Sequence, residues 1–204
     1  SAAAAGILAV SSDRSQRGPM YQLKKASQEL YPALIHDIEQ ATGIDIEYQT
    51  VGVLGLIRND ADEKKYRSLY DLRREQGHQV TWLSAEELHR VEPALATDIR
   101  AAVRFSGDHH LHNGKLAEAL ARAAGKRGVQ FRVDTTVNEV RTKNGKAHSL
   151  HIGEEWVEAG TVVIAAGAWS RQVGNLFGIS VPVKPAKGQM LAVRTTLLRH
   201  VISH

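Results

Sequence analysis

Apolar residues recur at steps of three and four through Leu23, Ala26, Leu30, Leu34, Ile38 and Ala41. This spacing predicts a long helix opened by Pro19 and closed by Gly43, with a kink at the internal Pro32. Ile46 to Arg58 alternates as a strand does. Ile46 and Tyr48 share one side, whereas Val51, Val53, Gly55 and Ile57 follow after a one-residue phase change. That change predicts a bulge near Gln49-Thr50. Asp60 to Gln76 is amphipathic, with Asp60 expected as N-cap and Gly77 as C-cap. Gln79 to Leu83 predicts a short strand. Ser84-Ala85-Glu86-Glu87 carries a capping box for a short helix ending before Pro93, and Arg100 to Phe105 predicts another strand.

The texture then changes. Asn113 to Lys126 is an Ala-rich helical stretch, followed through Gly128 by a predicted strand at Val129 to Val133. Thr136 to Arg141 and Ala147 to Ile152 flank Asn144-Gly145, a strong hairpin signal, and Val157 closes a further short strand. Thr161-Val162-Val163-Ile164 is wholly apolar or β-branched, as expected of a buried parallel strand. It enters Ala165-Ala166-Gly167-Ala168 and a short helix from Trp169 to Leu176. Val181 to Val193 is a last extended stretch, interrupted at Pro185 and Gly188. The expected fold class is α/β (α+β overall): a Rossmann-like nucleotide-binding domain interleaved with a mixed-sheet domain.

Composition narrows the field. The chain has 204 residues, 43% of them hydrophobic, enough for a real core and unlike a disordered chain. Lys and Arg total 26 against 22 Asp and Glu, a net charge of +4. The basic residues are scattered, so they form a solvated surface and no nucleic-acid partner is expected. The longest apolar runs fall far below the ~20 residues of a membrane span, so no membrane partner is expected either. The absence of Cys excludes a disulfide scaffold, a thiolate metal site and a Cys nucleophile. It fits a reducing compartment, and the expected location is the cytoplasm. The chain opens at Ser1 in an Ala-rich run and stops at Val201-Ile202-Ser203-His204 without a polar tail. Both ends read as cuts through a longer protein.

Three segments could carry chemistry. Ser1-Ala2-Ala3-Ala4-Ala5-Gly6-Ile7-Leu8 either starts a helix or packs tightly, or lets backbone N–H groups approach a ligand. Val162 to Ser170 is either an ordinary strand-to-helix turn or the place beyond a strand end where α/β proteins bind ligands. Val183 to Leu191 reads alone as an edge strand with a Pro kink. His109, His110 and His112 lie close together, but H-E-x-x-H is absent and no metal is expected. His78, His89, His148, His151 and His200 are expected at the surface. Neither G-x-S-x-G, a P-loop nor G-x-G-x-x-G occurs.

Taken in order, these segments resemble one family, the flavin-dependent D-amino acid oxidase superfamily, and most of all the glycine oxidases of thiamine biosynthesis. Members typically show S-x-A-A-A-G-M-L, matched by Ser1 to Leu8 with Ile7 in the place of Met. They show V-V-x-A-x-G-x-W-S, matched by Val162 to Ser170, and P-V-K-G-Q-x-L, matched loosely by Pro182 to Leu191. Thr42 to Tyr48 followed by Gly52, Leu54 and Leu56 fits as well. The loop before the Asn113 helix departs from the pattern, with His112-Asn113 where an acid and Pro are usual.

The resemblance implies FAD as cofactor. Ala5, Gly6 and Ile7 would meet it near the pyrophosphate and ring, and Val137 near the adenine. Ala166 and Gly167 would border it at the second βα turn, with Trp169 packing beneath. Residues 1–43 and 106–180 would belong to the FAD-binding domain, and 44–105 and 181–204 to the substrate-binding domain, both incomplete. The dinucleotide fingerprint would precede Ser1, and the substrate-anchoring Tyr and Arg would follow His204, so no catalytic residue is expected within the chain. The implied reaction is oxidation of the Cα–N bond of glycine or a small D-amino acid to an imino acid, with oxygen as acceptor and the amino acid as the small-molecule partner. Homo-oligomerisation stays open. The rivals are an amino-acid dehydrogenase or sarcosine-type oxidase of the same superfamily, and a non-catalytic piece that binds no flavin.

Overall fold

The computed structural model describes residues 5–13, 17–189 and 197–203. The chain divides into two compact units, Ser1–Gly128 with Met190–His204, and Val129–Gln189. The first contains β1 (Ile7–Leu8), α1 (Pro19–Thr42), β2 (Val53–Ile57), α2 (Asp60–Glu75), β3 (Val80–Ser84), α3 (Ala85–Val91), β4 (Ala101–Phe105), β5 (His109–His110), α4 (Asn113–Lys126) and, after the second unit, β9 (Val201–Ser203). The second contains β6 (Val137–Lys143), β7 (Lys146–Ile152), β8 (Glu155–Glu158), a 3-10 turn (Gly167–Trp169) and α5 (Ser170–Leu176).

The four-stranded sheet of the first unit runs β3-β4-β2-β9. β2 is antiparallel to β4 and parallel to β9, and all five of its residues are buried. Its two faces carry different cores. Leu54, Leu56, Leu83 and Ala102 pack with Leu88 of α3 and with Ile99 and Ile202. Ile57, Ala101, Val103 and Phe105 pack with Tyr66 and Leu69 of α2. Gly55 lies on the second face because a Cβ there would stand 2.3 Å from the Tyr66 ring. A third core joins Ile35 and Ile38 of α1 to Ala119 of α4, over Ile46, Leu111 and Leu8.

Local chemistry explains most boundaries. Gly43 takes the left-handed conformation at φ 71 and donates to the Glu39 carbonyl, which closes α1. The helix is continuous through Pro32. The Asn59 side chain, rather than Asp60, caps α2 by accepting from the Asp62 N–H at 2.9 Å. Ser84 and Glu87 form the expected reciprocal capping box.

Several expectations need correction. Ile46 to Arg58 is not one bulged strand. Gln49 bridges His110 of the small β1–β5 sheet, the chain turns at Gly52 with φ 95, and only Val53–Ile57 enters the large sheet. The phase change therefore marks a crossing between sheets. A Cβ at Gly52 would lie 2.9 Å from the Phe105 carbonyl oxygen, so the turn needs glycine. In the second unit, Asn144 and Gly145 both take positive φ and close the predicted hairpin, and β8 extends it into a meander. Val129 to Val133 and Thr161 to Ile164 form no ladder. Val133 is 78% and Val163 82% exposed. A parallel strand exists only through its neighbours, and among the described residues none pairs with either segment.

Glu92, buried at the end of α3, ties β9 to the sheet. One carboxylate oxygen accepts from the Arg199 N–H at 2.9 Å, the His200 N–H at 2.7 Å and His200 Nδ1 at 2.6 Å. His200 is thus part of a buried pair, not a surface residue as expected. Burial pushes the Glu92 pKa up, but these bonds to His200 and Arg199 outweigh it and hold the carboxyl below its ordinary value. The ionised form therefore stabilises the fold above the unfolded value of about 4.3, and this contribution disappears as pH falls through the lower folded value. Replacing Glu92 by Gln is expected to lower stability near neutrality by about 1–2 kcal/mol and to flatten the acid limb of the stability–pH curve, measured by urea unfolding. Superimposable curves would contradict this role. Gly55→Val should cost about 2–3 kcal/mol in the same assay through its clash with Tyr66, and an unchanged midpoint would count against the packing described.

Candidate functional site

The Ala5–Asp13 segment mixes small residues with Ile7, Leu8, Val10 and Asp13, and is held by its neighbours. Gly6 has φ 74, and a Cβ there would lie 2.0 Å from the Leu111 carbonyl oxygen. Only glycine lets β1 approach β5 this closely, with Ile7 opposite His110 and Leu8 opposite His109. The Gln28 amide of α1 donates to the Leu8 carbonyl at 2.8 Å.

Beyond β1 the chain curls around the fully buried Asp108. One carboxylate oxygen accepts from the N–H groups of Val10 and Ser11 at 3.0 and 2.7 Å, and the other from Ser12 at 2.7 Å. Three such bonds offset the cost of burying the carboxylate and satisfy three amides that a tight turn would otherwise orphan. Arg73, also fully buried, holds the carbonyl side. Its Nε donates to the Ser11 carbonyl at 2.9 Å and a terminal nitrogen to the Asp13 carbonyl at 2.7 Å, while the other meets Gln76. Lys24 pairs with the Asp13 carboxylate at 2.6 Å.

The curled segment has a cavity on each side. One of about 330 Å³ lies against α1 and is lined by Ile7 to Val10, Asp13, Leu23, Lys24, Gln28 and Tyr31. Another of about 360 Å³ lies against the large sheet and is lined by Ile7, Ala9, Ser12, Asp13, Val53 and Val201 to Ser203. Ile7, Ala9 and Asp13 belong to both, so this short stretch is a shared wall.

Histidines surround it. His78 bridges Ser11 and Tyr21, contrary to the expected surface position. His109 Nδ1 meets the Tyr48 hydroxyl at 2.5 Å. Burial lowers the pKa of both His109 and His110, and His110 is lowered further by the charges of His200 and His109. The same desolvation raises the Tyr48 hydroxyl. Among the described residues no group of three or more His, Cys, Asp or Glu side chains could hold a metal ion.

The expected site residues fall into both units. In the first, Ala5 is exposed, Gly6 partly buried and Ile7 43% exposed on the cavity wall. In the second, Val137 opens β6 opposite Ile152, and α5 packs against β6. Ala166 and Gly167 form the turn into the 3-10 segment, with Gly167 at φ 55 in open space and the Trp169 N–H on the Ala166 carbonyl. Trp169 itself is 65% exposed. The third segment forms no strand up to Gln189, contrary to expectation, and the Val183 N–H turns back onto the Val181 carbonyl at 2.8 Å; Met190 and Leu191 lie outside the described residues. Each turn carries a positive-φ glycine, Gly6 closed against the Leu111 carbonyl and Gly167 in open space.

Asp108, Arg73 and His78 were not among the expected site residues. Arg73 did carry a signal, because it continues the buried stripe of α2 after Tyr66 and Leu69 and places a charge where an apolar residue belongs. Nothing local distinguishes Asp108.

Residues 1–203 match the model of a family described as FAD dependent oxidoreductase, DAO. Glycine oxidase from Geobacillus kaustophilus is 34% identical over 195 residues, which is 95% of this chain and 52% of that protein. Hydrogen cyanide synthase subunit HcnC from Pseudomonas aeruginosa is 30% identical, over 84% of this chain and 42% of its own. The chain thus spans about half the length of the curated relatives it matches. The crystal structure of the G. kaustophilus glycine oxidase superposes with a TM-score of 0.84 at 33% identity, covering 90% of this chain and 50% of that one. An iminodiacetate oxidase from Chelativorans sp. superposes at 0.78 with 25% identity, over 90% of this chain and 50% of that one. The family match and the shared mixed α/β architecture agree: the chain belongs to the DAO family of FAD-dependent oxidoreductases, with FAD as the family's cofactor.

Proposed function

We propose that the protein built on this chain oxidises the Cα–N bond of glycine or a small D-amino acid to the imino acid and passes the electrons to dioxygen. The observation that carries this reading is the similarity to glycine oxidase along 95% of the chain. Bound FAD supplies the two-electron acceptor, and the protein supplies binding and orientation. In this reading Ala5, Gly6 and Ile7 offer a low wall that lets backbone reach the cofactor. Val137, Ala166, Gly167 and Trp169 serve it from the second unit. Residues 1–43 and 106–180 form the FAD-binding part, and 44–105 and 181–204 the substrate part. The cavity between Ile7, Ala9, Val53 and Val201 also carries Ser12, Asp13 and Ser203, a mixed apolar and polar lining that suits a small polar substrate. The likeness to an iminodiacetate oxidase favours a secondary amine as the second reading.

The full-length protein that contains this chain should purify yellow, absorb near ~450 nm through its flavin, and release peroxide with glycine. A folded colourless protein would overturn the reading. Reduction of an artificial dye without peroxide would make it a dehydrogenase, and a preference for sarcosine or iminodiacetate would favour the secondary-amine reading.

The reading gives Asp108 a defined task, since its carboxylate shapes the wall. Asp108→Asn puts an amide NH₂ against a backbone N–H. Stability should fall by about 2 kcal/mol in urea unfolding, and the purified variant should retain less FAD per chain than the parent. Unchanged midpoint and flavin content would remove Asp108 from this role.

A further inference from the structure

We propose that Glu92 is a positioning residue for the substrate: through Arg199 and His200 it holds β9 in place as one wall of the cavity against the large sheet, and so sets the affinity for substrate without touching it. The inference rests on the reading of that cavity as the substrate site of an amine oxidase.

β9 is a lightly held wall. It has three residues, all only partly buried, and in the described sheet it is an edge strand paired with β2 alone. A parallel ladder of this length supplies few hydrogen bonds. Yet Val201, Ile202 and Ser203 all line the cavity, together with Ile7 and Ala9 of the curled segment. One end of the strand is held by the Tyr66 hydroxyl, which donates to the Ser203 carbonyl at a long 3.4 Å. The other end depends on Glu92. One of its carboxylate oxygens accepts from both backbone N–H groups that lead into the strand, at 2.9 and 2.7 Å, and from the His200 ring at 2.6 Å.

Glu92 is itself fixed. Its N–H donates to the Leu88 carbonyl at 2.8 Å, and its carbonyl accepts from the Leu95 N–H at 3.2 Å. Leu88 is fully buried in the core against the sheet. The Glu92 side chain is buried too, and among the described residues its Oε2 has no hydrogen-bond partner. A carboxylate buried with one bare oxygen is costly, and an apolar side chain would fill the same space at less cost. An apolar side chain, however, cannot fix two consecutive amides ahead of the wall. The described lining of the cavity includes neither Glu92 nor His200, so the acid acts on substrate only through the strand. Such a wall meets bound substrate and transition state alike, which places its effect in KM rather than kcat.

The test is steady-state peroxide release by the full-length protein that contains this chain, with glycine varied and rates counted per bound flavin. Glu92→Met keeps the length of the side chain and removes the acceptor. KM should then rise about tenfold, the fold-change of one or two lost hydrogen bonds, while kcat stays within about twofold. Glu92→Gln, whose amide oxygen still accepts both backbone N–H groups, should return KM most of the way to the parental value. Ile35→Ala, in the core between α1 and α4, destabilises the fold away from β9 and should leave KM unchanged. Amide exchange at residues 199–203 reads the tie without turnover; it should quicken in the methionine variant and recover in the glutamine one. If the methionine variant does not fold, His200→Ala, which removes one of the three bonds, should raise KM and quicken exchange by a smaller factor. Parental KM in the methionine or alanine variant, a lower kcat at unchanged KM, or unchanged exchange at residues 199–203 would overturn the inference. A colourless parent, or one that releases no peroxide, overturns the oxidase reading, whereas a yellow, peroxide-releasing parent whose KM ignores Glu92 overturns this inference alone.

Discussion

Everything near the candidate site depends on one buried carboxylate. Asp108 accepts three successive backbone N–H groups from Val10 to Ser12 and so turns a run of small residues into a fixed curl. An isolated buried carboxylate is costly, and three amide donors largely remove that cost. Arg73 completes the arrangement from the other side by binding carbonyls of the same segment. Amides and carbonyls of one turn are thus satisfied by opposite charges from different elements. Backbone bonds to Asp108 and Arg73 fix the turn at Ser11 and Ser12, while Leu8 and Val10 pack into the interior.

This explains how a chain rich in alanine and glycine presents defined cavities. Gly6 is required by the Leu111 carbonyl, Gly52 by the Phe105 carbonyl and Gly55 by the Tyr66 ring. Each lets two pieces of backbone or a ring approach more closely than any Cβ would permit. At the far side, Glu92 binds Arg199 and His200 and brings Val201 to Ser203 beside β2, where they face the same cavity as Ile7 and Ala9. Buried acids therefore hold both sides of that cavity through backbone amides.

Much of this architecture was legible in the sequence, and the exceptions share a cause. The α1, α2 and α4 helices, the capping box at Ser84 and the Asn144-Gly145 hairpin follow from local periodicity and turn chemistry. Ordered small-residue segments at Ser1 to Leu8 and Val162 to Ser170 identified the family. Apart from the one-residue shift of the α2 cap to Asn59, what failed was non-local. Val129 to Val133 and Thr161 to Ile164 have strand composition, but a strand also needs a neighbour to pair with. His78 and His200 looked like surface residues because their partners lie 57 to 108 positions away. Asp108 stands beside His109, His110 and His112, whereas its partners are amides nearly a hundred residues distant.

We propose that the turns at Ala5–Ile7 and Ala166–Trp169 are surfaces for a flavin. Titrating FAD into flavin-free full chain while following amide exchange tests it most directly. The account predicts new protection at residues 5–13 and 165–169, saturating together as flavin absorbance is taken up by the protein. Binding that leaves both segments unchanged, or protects other surfaces only, would contradict it.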